Sequence, residues 1–282
     1  MKALGDVLKL AFEYLKERDG KRARRDAEDL LASVLKVSRL DLYLQFDRPL
    51  EESELVLYRS YLKRKVQGEP VEYICGEVEF FKCRLMLSSD VLIPRPETEI
   101  LLERACQQLA SSSLKGKVAW DVCCGSGCLG LGLKKHFPEL SLTLSDASQA
   151  AVQIAQTNSE LNQLLVEVLH GDLLEPFQGR KADIVLCNPP YVSQAEFDVL
   201  DVSVKHFEPH SALLGGEDGL LFYHRLSQEL PPLLNSGAKL FFEIGSGQGK
   251  AVMEIFDEPH WTVKSIEKDW AGHDRFFFLE FQ

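Results

Sequence analysis

The spacing of apolar residues changes period along the chain, and each change marks an expected boundary. Over residues 1–70 the period is helical. Leu4, Leu8, Ala11, Phe12 and Leu15 form one stripe, and Gly20 is expected to end that helix. A second helix begins near Asp26 with Ala27, Leu30, Leu31, Val34 and Leu35 inward. A third runs from Ser53, its expected N-cap, through Leu55, Val56, Tyr58 and Leu62. Gly68-Glu69-Pro70 closes what reads as a small helical bundle, a module suited to docking rather than catalysis. Residues 71–91 alternate, with Val78, Phe80, Phe81, Leu85, Met86 and Leu87, and are expected to form a β-hairpin linker.

Residues 92–282 have another rhythm. Glu97-Thr98-Glu99 opens a helix after Leu92-Ile93-Pro94-Arg95-Pro96, its acids suiting the helix dipole. Strands are expected at 118–123, 141–145, 165–169, 182–187 and 238–244. Helices are expected between them at 128–137, 148–162, within 216–235 and near 250–256. Such α/β alternation implies a parallel sheet covered by helices on both faces. The last two strands, 261–266 and 275–281, have no obvious helix between them and should be antiparallel.

Within this frame, Asp183-Ile184-Val185-Leu186-Cys187-Asn188-Pro189-Pro190-Tyr191 stands out. A buried strand cannot run through Pro-Pro, because each ring removes a donor and fixes φ. The strand must stop at Asn188, leaving four residues of unusual chemistry at its C-terminal end. In open α/β sheets ligands bind at that edge.

Charge narrows the partners. The net charge is −11, with 15 basic against 14 acidic residues up to position 75 and 17 against 29 beyond it. So acidic a body argues against docking along a phosphate backbone, and no direct nucleic-acid contact is expected. The densest basic cluster, Lys21-Arg22-Ala23-Arg24-Arg25, is either a solvated loop or a contact for an acidic partner. No apolar run approaches the roughly 18 residues of a membrane span. The start Met1-Lys2-Ala3-Leu4-Gly5-Asp6 lacks a signal-peptide layout, and seven cysteines fit reduced thiols, so a cytoplasmic monomer is expected.

A ligand can be read from the strand ends. The first βα turn, Asp121-Val122-Cys123-Cys124-Gly125-Ser126-Gly127-Cys128, lets backbone approach a ligand beside free helix amides. It is not a dinucleotide turn: Asp121 would repel a pyrophosphate and attract an ammonium group. Asp146, ending the second strand, is placed to accept ribose hydroxyls. Asp172, before Leu173, follows the third strand and could accept an adenine amino proton. A cation, a ribose and an adenine together describe S-adenosylmethionine. Each acid alone would be only a helix cap.

Asn188-Pro189-Pro190-Tyr191 then supplies chemistry beside that cofactor. A planar NH2 group is a poor nucleophile because its lone pair is delocalised. The Asn188 oxygen and the Pro189 carbonyl can accept its two protons, fixing the nitrogen in attack geometry. Tyr191 offers a wall for stacking. No metal is needed. Cys123, Cys124 and Cys128 match no common zinc spacing, and His206 and His210 flank Pro209 rather than sharing a helix. Arg95, between prolines, is a site residue or a capping ion pair. Glu243, ending the fifth strand, faces the site or caps the next helix.

Several stretches taken together are similar to one family. The Asp26-Ala27-Glu28 helix with Leu30-Leu31, Gly68-Glu69-Pro70-Val71-Glu72-Tyr73-Ile74, Leu92–Glu99 and Asn188-Pro189-Pro190-Tyr191 carry the resemblance. So do Phe207-Glu208-Pro209 and Gly215-Gly216-Glu217-Asp218-Gly219-Leu220. Nearly the whole chain resembles the HemK-type peptide chain release factor N5-glutamine methyltransferases. That resemblance implies a Rossmann-like class I S-adenosylmethionine-dependent methyltransferase sheet joined by a β-hairpin to an N-terminal helical bundle. It implies that the substrate is the glutamine of the Gly-Gly-Gln loop of release factors, which the helical domain helps to hold. It also implies that residues 123–127, Asp146, Leu173 and Asn188 bind the cofactor, while residues 188–191 hold the glutamine amide. One departure stands in the turn. The family pattern Asp-Leu-Gly-Thr-Gly-Ser-Gly has Cys123 and Cys124 here in place of the first Gly-Thr, removing a residue free to take positive φ. The rival functions are an adenine-N6 methyltransferase, which would need a basic face, and a binding module, which would need no pair of acceptors.

Overall fold

The computed structural model describes residues 2–18 and 22–282, so the expected stop at Gly20 and Lys21 of the basic cluster lie outside the described residues. The chain divides into two compact units, Met1–Glu77 with Val202–Phe207, and Val78–Asp201 with Glu208–Gln282. No helix among the described residues is long and apolar enough to cross a membrane.

The smaller unit contains α1 (Leu4–Lys16), α2 (Ala23–Leu35), α3 (Arg39–Leu44), α4 (Glu52–Val66) and α5 (Val71–Cys75). Leu4, Leu8, Leu15, Ala27, Leu30 and Leu31 form its core, as the helical stripes predict. Tyr58 is buried there and donates its hydroxyl proton to the Ala27 carbonyl at 2.9 Å. Three local expectations differ. The N-cap of α4 lies two residues before Ser53, because Glu51 and Glu54 form a reciprocal capping box. Val56 is 57% exposed, one position off the buried face. Residues 71–75 are helical rather than part of the hairpin, ended by Gly76 at φ 74°. Arg22 is the N-cap of α2, and Arg24 and Arg25 lie exposed in its first turn, each paired with an acid four residues on. Arg24 pairs with the buried Glu28 at 3.0 Å and Arg25 with Asp29 at 3.5 Å.

The larger unit begins with a hairpin of β1 (Glu77–Phe80) and β2 (Cys83–Met86), then α6 (Pro96–Leu109). β3 (Val118–Val122), α7 (Cys128–His136), β4 (Ser141–Asp146), α8 (Gln149–Leu161), β5 (Glu167–His170) and β6 (Ala182–Cys187) follow. Beyond β6 come α9 (Gln194–Val199), α10 (Val202–Phe207, in the smaller unit) and α11 (Leu221–Glu229). The unit closes with β7 (Leu234–Glu243), α12 (Gly249–Ile255), β8 (Trp261–Lys268) and β9 (Asp274–Phe281).

Seven strands form one sheet in the order β5-β4-β3-β6-β7-β9-β8. β9 runs antiparallel to β8, as expected from the missing crossover helix, and it also inserts antiparallel beside β7. The connections leave β3 in one direction and β6 in the other, which opens a crevice at their C-terminal ends. β6 is buried along its whole length, with Ile184 and Leu186 on one face and Val185 and Cys187 on the other. That two-sided burial explains its continuous apolar run. Trp120, beside it on β3, stacks on Phe177 with centroids 4.2 Å apart.

One polar side chain ties the hairpin to the crevice. Asn158 on α8 is fully buried; its amide donates to the Ser126 carbonyl at 2.9 Å and to Met86 O at 3.1 Å. Its oxygen accepts from Met86 N at 2.6 Å. Asn158→Ala should therefore lower unfolding free energy by about 1–3 kcal/mol, the cost of stranding buried backbone groups, measured by urea denaturation. A change below about 0.5 kcal/mol would show that water replaces the amide at no loss.

Candidate active site

The turn after β3 shapes the crevice floor. Cys123, Gly125 and Gly127 have φ values of 59°, 53° and 81°. Cys123 thus holds a left-handed conformation that glycine takes without strain, at a cost of about 1–2 kcal/mol. Backbone bonds hold the turn there. Cys124 N–H donates to the Ser145 carbonyl at 2.9 Å, and Gly125 N–H donates to Asp146 Oδ2 at 2.8 Å. Gly127 precedes α7, where a Cβ would lie 2.9 Å from Leu144.

The strand-end acids have three different environments. Asp121 is 1% exposed; its Oδ2 accepts Gly130 N–H at 2.7 Å, while Oδ1 has no partner among the described residues. A Cβ on Gly130 would lie 2.9 Å from the Asp121 carboxylate, so only glycine admits that contact. Burial pushes the Asp121 carboxyl up to about 7; the Gly130 N–H opposes this and Asp146 adds to it. Asp146 accepts Ser148 N–H at 2.9 Å as well as Gly125, leaving lone pairs on both oxygens. Asp172 is exposed and forms a two-pronged pair with Arg225 at 3.0 Å, a partner that sequence spacing did not reveal.

A cavity of about 240 Å³ lies over these residues. Of the positions singled out in the sequence, Asp121, Cys123, Cys124, Gly125, Ser126, Asp146, Asp172, Leu173, Asn188 and Pro190 line it. Gly127, Pro189, Tyr191 and Arg95 do not. Gly127 serves the helix start. Arg95 is committed to an ion pair with the buried Glu208, whose other oxygen is 3.4 Å from Ile93 N. Of its two expected roles, the ion pair is the one seen. Burial raises the thiols of Cys124, Cys128 and Cys187, which keeps them protonated, and Cys123 packs against the core cluster that contains Cys187.

Behind Asn188 lies a polar network that the sequence only hinted at. Asn188 contacts Thr98 Oγ1 at 3.2 Å, and Thr98 contacts Glu243 Oε2 at 2.6 Å. The Tyr191 hydroxyl donates to Glu243 Oε1 at 3.1 Å, and Arg275 donates to Tyr191 at 3.4 Å. Glu243 is 1% exposed, and burial raises its pKa despite the Thr98 and Tyr191 bonds. It faces the site; Gln248, not Glu243, caps α12. Gln248 in turn donates to the Tyr191 carbonyl at 2.9 Å and accepts Gly245 N–H at 2.8 Å. Gly215 backs the Pro-Pro turn: a Cβ there would lie 2.5 Å from Pro190 O and 2.8 Å from Tyr191 Cα. The Gly-Gly-Glu-Asp-Gly run was the available signal for this cradle.

The donor set suits S-adenosylmethionine. An unpartnered buried carboxylate oxygen awaits a cation, and Asp146 retains acceptor capacity for hydroxyls. Sheet order and site together define a class I S-adenosylmethionine-dependent methyltransferase. Family models match at residues 96–217 (Methyltransferase small domain) and 6–76 (PrmC N-terminal domain). A methyltransferase from Pyrococcus furiosus shares the fold, with a TM-score of 0.53 at 17% identity over 71% of this chain and 89% of that one. The release factor glutamine methyltransferase of Chlamydia trachomatis serovar L2 is 42% identical over 98% of this chain and 93% of its own. That of Thermodesulfovibrio yellowstonii is 38% identical over 91% and 92%. The chain belongs to the release factor glutamine methyltransferase family.

Two outcomes follow. The raised Asp121 value means that the empty fold favours the protonated acid, so its contribution to stability falls as pH rises from the ordinary carboxylate range towards about 7. A cationic ligand favours the ionised acid. Affinity for S-adenosylhomocysteine should therefore rise with pH, up to about tenfold per unit, and level off above about 7. Titration calorimetry between pH 5.5 and 8 checks this, and Asp121→Asn should bind weakly with no such slope; an equal slope in that variant would refute the assignment. Separately, Gly215→Ala should stay folded by thermal melt yet lose about 100-fold in kcat, because the Asn-Pro-Pro-Tyr backbone must shift.

Proposed function

We propose that the chain transfers a methyl group from S-adenosylmethionine to the side-chain amide nitrogen of the glutamine in the Gly-Gly-Gln loop of peptide chain release factors. Bound S-adenosylmethionine supplies a sulfonium-activated methyl, whose departure leaves a neutral thioether and needs no acid or metal. Asp121, the 123–127 backbone, Asp146, Asp172 and Leu173 hold it, Asp172 doing so while paired to Arg225. Asn188 Oδ1 and the Pro189 carbonyl accept hydrogen bonds from the two amide N–H groups, which localises lone-pair density on the substrate nitrogen. As the N–CH3 bond forms and the S–CH3 bond breaks, one of those protons is lost to solvent. Pro190 lines the cavity beside Asn188 and walls the amide on that side. The Tyr191 hydroxyl lies deeper, against Glu243.

The observation that carries this reading is the position of Asn188. It follows the last residue of β6 and lines the same cavity as Asp121 and Asp146, across the point where the strand order reverses. The Pro189 carbonyl accepts no hydrogen bond from the described residues, which leaves it available to a substrate.

We assign residues 1–70 to docking the release factor, 71–91 to the connection and 92–282 to transfer. Exposed Leu40 and Leu44 on α3 support the docking role. The enzyme acts as a cytoplasmic monomer without nucleic acid.

Radiolabelled S-adenosylmethionine should label an intact release factor and neither its Gln→Ala loop variant nor duplex DNA. Asn188→Ala should abolish transfer while cofactor binding stays measurable. Label on DNA, or equal label on the loop variant, would sink the assignment.

A further inference from the structure

We infer that Thr98 and Glu243 are positioning residues that decide which way round the Asn188 amide faces. The inference rests on the function proposed above and adds Thr98, which lines the cavity, and Glu243, which lies behind it, both distant from Asn188 in sequence.

Proton counting carries it. A threonine hydroxyl has one proton, and an ionised carboxylate can only accept. Thr98 Oγ1 lies 2.6 Å from Glu243 Oε2, so its proton is committed there. What remains on Thr98 towards Asn188, at 3.2 Å, is lone-pair density. Only the NH2 of Asn188 can meet it. A rotated amide would set two acceptor oxygens against each other and leave two donors pointing into the cavity. With the NH2 turned to Thr98, Oδ1 is the atom left for the substrate.

Glu243 does this on both sides. Its other oxygen accepts the Tyr191 hydroxyl proton at 3.1 Å, and Arg275 donates into the Tyr191 oxygen at 3.4 Å. Donation therefore converges on one carboxylate, from Asn188 through Thr98 and from Arg275 through Tyr191. A fully buried carboxylate with both oxygens engaged is a rigid acceptor, and its charge gives the chain of bonds a single direction. Burial raises its pKa, and the Thr98 and Tyr191 hydroxyl donors and Arg275 oppose that rise.

Three variants test the assignment, each assayed for release factor methylation and for S-adenosylhomocysteine affinity. Thr98→Val keeps the side-chain shape and loses the hydroxyl. It should lower kcat by about 10- to 100-fold, with cofactor affinity changed by less than about threefold. Thr98→Ser should recover kcat to within about threefold of the starting enzyme. Glu243→Gln keeps volume and removes a buried charge, so it folds. It no longer forces the Thr98 proton in one direction, and kcat should drop by about tenfold.

A readout independent of the substrate is the side-chain NH2 signal of Asn188 in protein labelled with [15N]asparagine. In the unaltered chain one proton should show the shift and slow exchange of a hydrogen bond. Thr98→Val should abolish both, and Thr98→Ser should restore them. If no label reaches a release factor while this signal behaves as described, the substrate assignment fails and the positioning role stands. Glu243→Gln turning over at the full rate, or an Asn188 signal indifferent to Thr98, would each overturn the inference. Should Thr98→Val fail to fold, Glu243→Gln and the Thr98→Ser spectrum decide it.

Discussion

The reversal of strand order between β3 and β6 is the constraint on which the rest depends. Parallel strands need crossover connections, and a sheet that grows both ways from its middle sends those connections to opposite sides. The C-terminal ends of β3 and β6 are left uncovered by either set. One end carries the glycine turn and Asp121, the other Asn188. Val122 and Cys187 are register partners, so the two functional segments leave the sheet side by side. Pro189 and Pro190 then prevent β6 from extending the sheet and closing the crevice.

Around this gap the fold buries carboxylates, and their partners separate ligand-binding acids from scaffold acids. Glu243 has both oxygens engaged by hydroxyls, and Glu208 holds Arg95. These are complete within the chain, which is how buried charge is normally tolerated. Asp121 is the exception. One oxygen is satisfied by Gly130 and the other by nothing among the described residues, so the site stores an electrostatic debit that a cation relieves. The pKa directions follow the same division: burial dominates for both Asp121 and Glu243, but only Asp121 lacks hydroxyl donors.

Local chemistry in the sequence located the crevice. The span of β6 agrees with its apolar run, and the turn glycines and strand-end acids lie where period and spacing put them. Contacts between distant residues were not legible. Thr98 and Glu243 are 145 positions apart, and Arg225 reaches Asp172 across 53. No pattern within one element encodes such pairs, because each partner is locally an ordinary cap or surface charge. α3 was missed for a related reason: six residues give too short a stripe, although Ser38 and Asp41 form a capping box that announces its start.

Cys123 shows how a departure from a family pattern can be absorbed. The left-handed backbone there is imposed by neighbours rather than by the residue, through Cys124 N–H on Ser145 and Gly125 N–H on Asp146. A side chain costs about 1–2 kcal/mol in that conformation. It also removes freedom from the unfolded chain, which returns about 0.4–1 kcal/mol relative to glycine. The remaining penalty, about 1 kcal/mol, is within what a neighbouring contact can offset. The Cys123 side chain finds such a contact in the core cluster of Val122, Leu173 and Cys187, against which it packs. The residue that replaces a glycine in this turn therefore adds apolar packing between the turn and the end of β6.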